Sequence, residues 1–215
     1  MNRTPFFRDR ADAAHQLLQQ LVAFRGARPL VLAIPRGAVP MGLHIAQGLD
    51  GELDVVLVRK LGAPFSDEYA IGAVDESGRV YRSPLAAAAG ANDEYIEHET
   101  RRQLALLGQR RERYTPLRPR VDPAGRIVIV VDDGLATGAT MIAALQAVRA
   151  NEPARLVCAV PVAAPDSLAR VQMLADEVVC LHAPRDFAAV GQFYGSFEAV
   201  EDDEVAAILG RQKSA

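Results

Sequence analysis

The chain has 215 residues, half of them apolar, which is enough for a sizeable core and excludes a miniprotein held by disulfides. Its 24 lysines and arginines against 27 acids give a formal charge of −3, so nothing calls for a nucleic-acid or membrane partner, and a DNA-coating role is excluded. The 16 glycines and 13 prolines are near average usage, and no segment has the composition of a disordered chain.

The first ten residues lack an apolar signal core, and no window approaches the ~18 apolar residues of a membrane span, so the expected location is cytoplasmic. Residues 11–24 carry Leu17, Leu18, Leu21 and Val22 at helical spacing before Gly26, which predicts a packing helix. Residues 30–34 are a short, wholly apolar run ending in Pro35-Arg36-Gly37, and residues 40–49 read as a helix. The pattern recurs at residues 53–58, ending in Arg59-Lys60, and at residues 127–131, ending in Asp132-Asp133 before a helix at about 138–150. Two further strands are predicted at 156–160 and 177–181, with a helix at about 165–174 between them. Apolar strands alternating with helices imply an α/β fold with a parallel sheet covered on both faces.

Two stretches interrupt this rhythm. Residues 61–83, with Gly62, Gly72 and Gly78, suggest a loop followed by a β-hairpin or excursion. Residues 92–114 read as a charged helix capped by Asn92. Its Arg101, Arg102, Arg110, Arg111 and Arg113 are either a phosphate-binding patch or a solvated face balanced by Glu94, Glu97, Glu99 and Glu112, and the balance of charge favours the second. The two cysteines, Cys158 and Cys180, sit in apolar runs without a C-x-x-C and read as buried, reduced thiols. His15, His44, His98 and His182 show no metal-ligand spacing.

Ligands of open parallel sheets bind at the carboxyl ends of strands, and three such ends are polar here. Residues 128–140 join an apolar strand, the acids Asp132 and Asp133, and a small-residue turn that opens a helix. Ala136, Thr137, Gly138, Ala139 and Thr140 offer unobstructed backbone N–H groups and two hydroxyls at a helix N-terminus, which reads as a phosphate cradle. The missing Gly-Lys-Thr and G-x-G-x-x-G patterns argue against a P-loop NTPase and a dinucleotide fold. Aspartates beside a phosphate repel it unless they face ligand hydroxyls or a divalent metal, and a sugar phosphate meets both demands.

This segment resembles the phosphoribosyl-pyrophosphate (PRPP) motif of the type I phosphoribosyltransferases, with apolar residues, two acids, and a run ending in Thr-Gly-Ala-Thr. Gly134 departs from the apolar residue usual after the acids, which puts local packing in question. The resemblance implies that Asp132 and Asp133 hold the ribose hydroxyls and that Ala136, Thr137, Gly138, Ala139 and Thr140 bind the 5′-phosphate. Pro35-Arg36-Gly37-Ala38 resembles the family's pyrophosphate loop, which implies a non-proline cis peptide, expected between Arg36 and Gly37. Arg59 and Lys60 resemble its basic pair on pyrophosphate. The order of Arg-Lys-Leu-Gly, Ala-Ile-Gly-Ala-Val, the acidic motif and the ending from Phe187 to Tyr194 is similar to a bacterial and archaeal subgroup whose acceptor is unassigned.

What the resemblance implies is a Rossmann-like parallel sheet flanked by helices, one domain over residues 1–215. Its core would span about 28–182, a lid or insertion about 61–115, and a hood about 183–211. The implied reaction moves ribose 5-phosphate from PRPP to a nitrogenous acceptor, with Asp132, Asp133, Arg59 and Lys60 as the catalytic set. Mg2+ would arrive on PRPP without direct protein ligands. Ala136 stands where enzymes of 6-oxopurines carry an aspartate, so an adenine-type acceptor fits better. Glu68 is a candidate acid or base for the acceptor within a closing loop at 61–75, and Tyr194, Phe193 or Phe187 either stack on it or pack the C-terminal segment. Relatives in the family often dimerise, which leaves a homodimer open for this chain. The alternative is a PRPP sensor without chemistry, since the superfamily includes regulators.

Overall fold

The computed structural model describes residues 5–83, 86–116 and 120–211. In chain order the elements are α1 (Arg10–Gln20), β1 (Leu30–Ala33), α2 (Val39–Gly48), β2 (Glu52–Val55), β3 (Val58–Ala63), β4 (Ser66–Asp75) and β5 (Val80–Arg82). They continue with α3 (Asp93–Tyr114), β6 (Ile127–Val131), α4 (Ala139–Arg149), β7 (Arg155–Val162), α5 (Pro165–Gln172), β8 (Glu177–His182) and α6 (Asp202–Gly210). Short 3-10 helices lie at Val22–Phe24 and Val190–Phe193.

Successive strand residues point to opposite faces, so wholly apolar strands need cover on both sides. The five-stranded sheet, ordered β2-β1-β6-β7-β8 and parallel throughout, receives it. Val31, Ala33, Ile129 and Val131 face Leu17 of α1 and Met41 and Ile45 of α2. Leu30, Leu32, Val128 and Val130 face Met141 and Leu145 of α4 and Val171 of α5. Each such Leu, Val or Ile side chain contributes about 1.5–3 kcal/mol when buried, so the two faces together dominate the fold.

The run expected as one strand at 53–58 is divided. β2 ends at Val55, and the chain leaves the parallel sheet to begin β3 at Val58 in a separate antiparallel sheet, β3-β4-β5. Arg59 and Lys60 therefore do not end a strand of the main sheet; they lie inside β3, opposite Val74 and Ala73. Val56 and Leu57 are buried like Val55 before them, and the apolar run continues to Val58, so hydrophobicity carries no mark of the change of sheet. Residues 61–83, expected as a loop followed by a β-hairpin or excursion, form the hairpins β3–β4 and β4–β5, with a register irregularity at Gly62, and residues 61–75, expected as a closing loop, belong to the first of them. One face of this small sheet buries Leu61, Ala63 and Ile71 with Ile96 and Leu107 of α3.

An ion network ties the small sheet to the large one. Asp54 of β2, fully buried, accepts from Arg111 of α3 at 3.1 Å and from the Val121 amide at 3.0 Å. Arg111 also donates to Glu76 at 2.7 and 2.8 Å and to the Val55 carbonyl at 3.1 Å. Asn92 caps α3 by accepting from the Tyr95 amide, as its sequence predicts. The helix arginines are not all balanced along their own helix: Arg101 pairs with Glu97 and Arg102 with Glu99, whereas Arg111 and Arg113 reach other elements. After β8 the chain folds back on the N-terminal segment. Phe7 bridges to Tyr194, and Phe6 stacks on His182 and Phe193. Cys158 is buried and Cys180 half-buried, both as free thiols, and burial pushes Cys180 up to about 11. Among the described residues no helix is long and apolar enough to cross a membrane.

Candidate functional site

β1 and β6 are neighbours, so the loops leaving their carboxyl ends lie side by side and bring residues 35–38 against residues 132–140. The closest approach is at Gly37. A methyl group there would sit 2.1 Å from Oδ2 of Asp133, so only glycine lets the first loop pass the acid. The non-proline cis peptide belongs to Pro35–Arg36, one bond earlier than the expected Arg36–Gly37.

Asp133 is clamped. Its Oδ2 accepts from Nε and Nη2 of Arg10 at 3.0 and 2.8 Å. Arg10 is itself fixed by the Glu198 carbonyl at 2.6 Å and by the Phe197 ring, 3.8 Å from its guanidinium carbon. The hydroxyl of Tyr194 donates to the Asp133 carbonyl at 2.6 Å, and burial, then the Asp133 charge, pushes this phenol up, so it remains a donor. Tyr194 is thus buried against the acid loop rather than open for stacking on a base. Asp132 accepts from the Asp133 amide at 2.9 Å and makes no ion pair among the described residues, Arg10 acting on it only at longer range. Burial raises Asp132 well above the ordinary carboxylate range, and the Asp133 charge raises it further. Asp133 is raised too, by burial, with Arg10 pulling the other way. An acid pair held in this state gains from any partner that donates to it, such as sugar hydroxyls or a cation carried by a ligand. Among the described residues no three His, Cys, Asp or Glu side chains converge as a metal site.

The next segment is stitched to β7 by the Leu135 amide on the Val162 carbonyl and the Ala164 amide on the Leu135 carbonyl. At Gly134 a methyl would lie 2.6 Å from Cγ1 of Val190, so the side chain usual at this point is replaced by one from the segment after β8. Gly138 takes φ +72°, the left-handed conformation that starts α4 without a side-chain cap. Ser167 Oγ of α5 donates to the Ala136 carbonyl at 2.6 Å, and Arg170 Nη2 donates to the Thr137 carbonyl. With the carbonyls drawn towards α5, the amides of the turn and of the first turn of α4 would be open to an anion, the Ala139 amide meeting the Thr137 hydroxyl at 3.5 Å. Ala136, Thr137 and Thr140 are exposed, as access requires.

The predicted bases are dispersed. Arg36 is partly exposed and pairs with Glu201 at 3.3 Å. Arg59 points at α3, where its Nε donates to Gln103, and Gln103 in turn donates to Glu99 at 2.6 Å. Adjacent residues of a strand face opposite ways, so Lys60 does not join Arg59 as one pair. The Glu68 side chain lies outside the described part of the structure. Phe187 and Phe193 pack on each other, centroids 5.1 Å apart. No sequence signal pointed to Arg10, Ser167 or Arg170, each of which acts on a loop far from it along the chain.

The fold is thus a parallel α/β sheet that places an acid pair and a helix start without a side-chain cap at one carboxyl edge, where open parallel sheets take their ligands. Comparison with known proteins makes this specific. The phosphoribosyl transferase domain family matches residues 2–195, and the chain belongs to that family. Two curated Mycobacterium tuberculosis proteins, "Putative phosphoribosyl transferase MT0597" and "Putative phosphoribosyl transferase Rv0571c", are each 45% identical over 206 residues. The match takes in 95% of this chain but 46% of theirs, so the chain spans about half the length of these relatives. The crystal structure of TT1426 from Thermus thermophilus superposes with a TM-score of 0.88 at 47% identity, covering 97% of this chain and 99% of that one.

Proposed function

We propose that the chain transfers the 5-phosphoribosyl group of PRPP to a nitrogenous, nucleobase-like acceptor and releases pyrophosphate. The observation that carries this reading is the joint placement of the Asp132–Asp133 pair and the uncapped start of α4 on one edge, with the Ala136 and Thr137 carbonyls tied back. The turn from Ala136 to Thr140 would take the 5′-phosphate, and the acids would accept from the ribose 2′ and 3′ hydroxyls. The bond from C1′ to the pyrophosphate oxygen breaks with its electron pair leaving on pyrophosphate. The acceptor nitrogen supplies the pair for the new bond to C1′ and loses its proton to solvent or a base. Arg36, the amides of residues 36–38 and Arg59 would stabilise the charge that gathers on the leaving group, the kind of contact worth ~2.7–4 kcal/mol of barrier per donor. Mg2+ carried on PRPP would neutralise part of that charge without direct protein ligands. Ala136 has no side chain that can exchange a proton with a ring nitrogen, which supports an adenine-type acceptor over a 6-oxopurine.

The reading is tested by pyrophosphate release from PRPP and Mg2+ over a panel of purines, pyrimidines and amines, with Asp132→Asn/Asp133→Asn as control. Release with one acceptor, absent in the control, supports transfer. PRPP binding that needs both acids, with no release for any acceptor, makes the chain a sensor, a reading that draws on the engagement of Arg59 by Gln103.

A further inference from the structure

A cavity of about 200 Å³ opens between β3, the C-terminal half of α3 and the start of α6. Arg59, Leu106, Gln109, Arg110, Arg113 and Asp202 line it. Its volume is several times the ~30 Å³ share of one water, so it has room for a polyatomic ion. Three of its lining residues are arginines, and one acid, Asp202, is set against them. Arg113 is shared by Asp202 at 3.2 Å and Asp203 at 2.8 Å. Arg110 makes no hydrogen bond or ion pair with any described residue and is only half-exposed. Burial, then the charges of Arg110 and Arg102, lowers Arg59 from its ordinary value, so these guanidinium groups repel one another across the space.

The loop after β1 reaches the same end of α6. Arg36 of that loop pairs with Glu201, the residue before Asp202. Asp202 lies within the field of Arg113, Arg110 and Arg36 and is held below the ordinary carboxylate range, first by the hydrogen bond from the Tyr114 hydroxyl. The acids at the head of α6 are therefore an internal counter-charge, held on Arg36 and Arg113, which pair with no other acid among the described residues. Other arginines of the same helix are placed differently: Arg101 pairs with Glu97 and Arg102 with Glu99.

We propose that Arg110 and Arg113, with Arg36 and Arg59, form a receptor for a pyrophosphate group, which displaces Glu201 and Asp202 from the arginines when it binds. The proposal rests on the reading above for the statement that this pyrophosphate is the leaving end of PRPP. Guanidinium forks match phosphate oxygens two at a time, so these side chains suit a ligand with two adjacent phosphates. Binding therefore shifts the N-terminal end of α6 away from the β1 loop, in contrast to the cradle at α4, whose amides need no displacement.

Titration calorimetry with pyrophosphate, ribose 5-phosphate and PRPP on the whole chain tests this in wild type, Arg110→Gln, Arg113→Gln and Arg101→Gln. The expected result is a Kd for pyrophosphate and for PRPP about tenfold higher in Arg110→Gln and Arg113→Gln, as for lost charged hydrogen bonds. Ribose 5-phosphate binding stays as in wild type in these variants, and Arg101→Gln matches wild type throughout, which separates lost contacts from lost folding. Arg110→Lys restores part of the pyrophosphate affinity. Pyrophosphate and PRPP binding unchanged by both substitutions, or no pyrophosphate binding in wild type, overturns the pocket. Arg110-dependent pyrophosphate binding without any binding of PRPP or ribose 5-phosphate supports the pocket and sinks the donor reading instead.

Discussion

At the head of α4 the groups that attract an anion are main-chain amides, whereas beside α3 they are guanidinium groups carried on long side chains. The first set is fixed before any ligand arrives: Gly138 sets the turn, and Ser167 and Arg170 hold the carbonyls on the far side. The second set is occupied by the chain's own acids, Arg36 by Glu201 and Arg113 by Asp202 and Asp203. Fixed dipoles suit a phosphate that stays on the sugar through the reaction. Movable charges suit a group that must enter and leave, because the acids of α6 can take the arginines back. On the proposed reading, the molecule separates the retained part of its donor from the departing part by the kind of group it presents to each.

The sharpest way to break that division is Asp132→Asn/Asp133→Asn. It is expected to lower acceptor-dependent pyrophosphate release by about 10²–10³-fold, the scale of losing electrostatic contacts at a reacting centre. Affinity for free pyrophosphate should stay near the wild-type value, and its parallel collapse would show that the regions are one site. Next in size is Arg10→Met, which leaves the Asp133 carboxylate in a largely buried place without its cation. Because Arg10 and Asp133 side chains are 14% and 17% exposed, the loss is set at about 2–3 kcal/mol, below that of a fully buried pair. Thermal unfolding should show a Tm drop of roughly 4–12 °C for a chain of this size. A Tm within a degree of wild type would mean that Arg10 does not hold the acid loop.

Ser167→Ala sharpens the comparison from the other side. It frees the Ala136 carbonyl and should raise the Kd for ribose 5-phosphate about fivefold, equal to one hydrogen bond of ~1 kcal/mol, without touching pyrophosphate binding. Equal weakening of both ligands would contradict the assignment of the cradle to the sugar phosphate. The smallest effect is Asp132→Asn alone. Burial and the Asp133 charge raise Asp132 in the fold, so the native state favours its protonated form and ionisation opposes folding. The wild type is therefore relatively most stable below the unfolded carboxylate value and loses that contribution as pH rises through the raised one. The asparagine variant should melt above wild type at pH 8, with the difference shrinking towards acid pH. Identical curves across that range would show that Asp132 is not strained by its charge.

The sequence by itself determined the alternation of apolar strands and helices and the small-residue turn at residues 136–140 that is proposed as the phosphate cradle. A buried parallel strand must be apolar throughout, and a turn whose amides approach a phosphate must be small, so both requirements are written in neighbouring residues. It did not show that the run at 53–58 passes from one sheet to another, because residues 53–57 are buried on both sides of the change and no breaker separates the halves. Nor did it show that Arg59 turns to Gln103 apart from Lys60, since the pair reads as one patch until a strand alternates its faces. Only the tertiary structure brought Arg10 to Asp133 across 123 positions, set Tyr194 beneath the acid loop, and gathered Arg36, Arg59, Arg110 and Arg113 around the head of α6. Side-chain contacts of that kind depend on how helices and sheets pack, and packing is decided by the summed burial of the whole core, which leaves no local mark on the residues that meet.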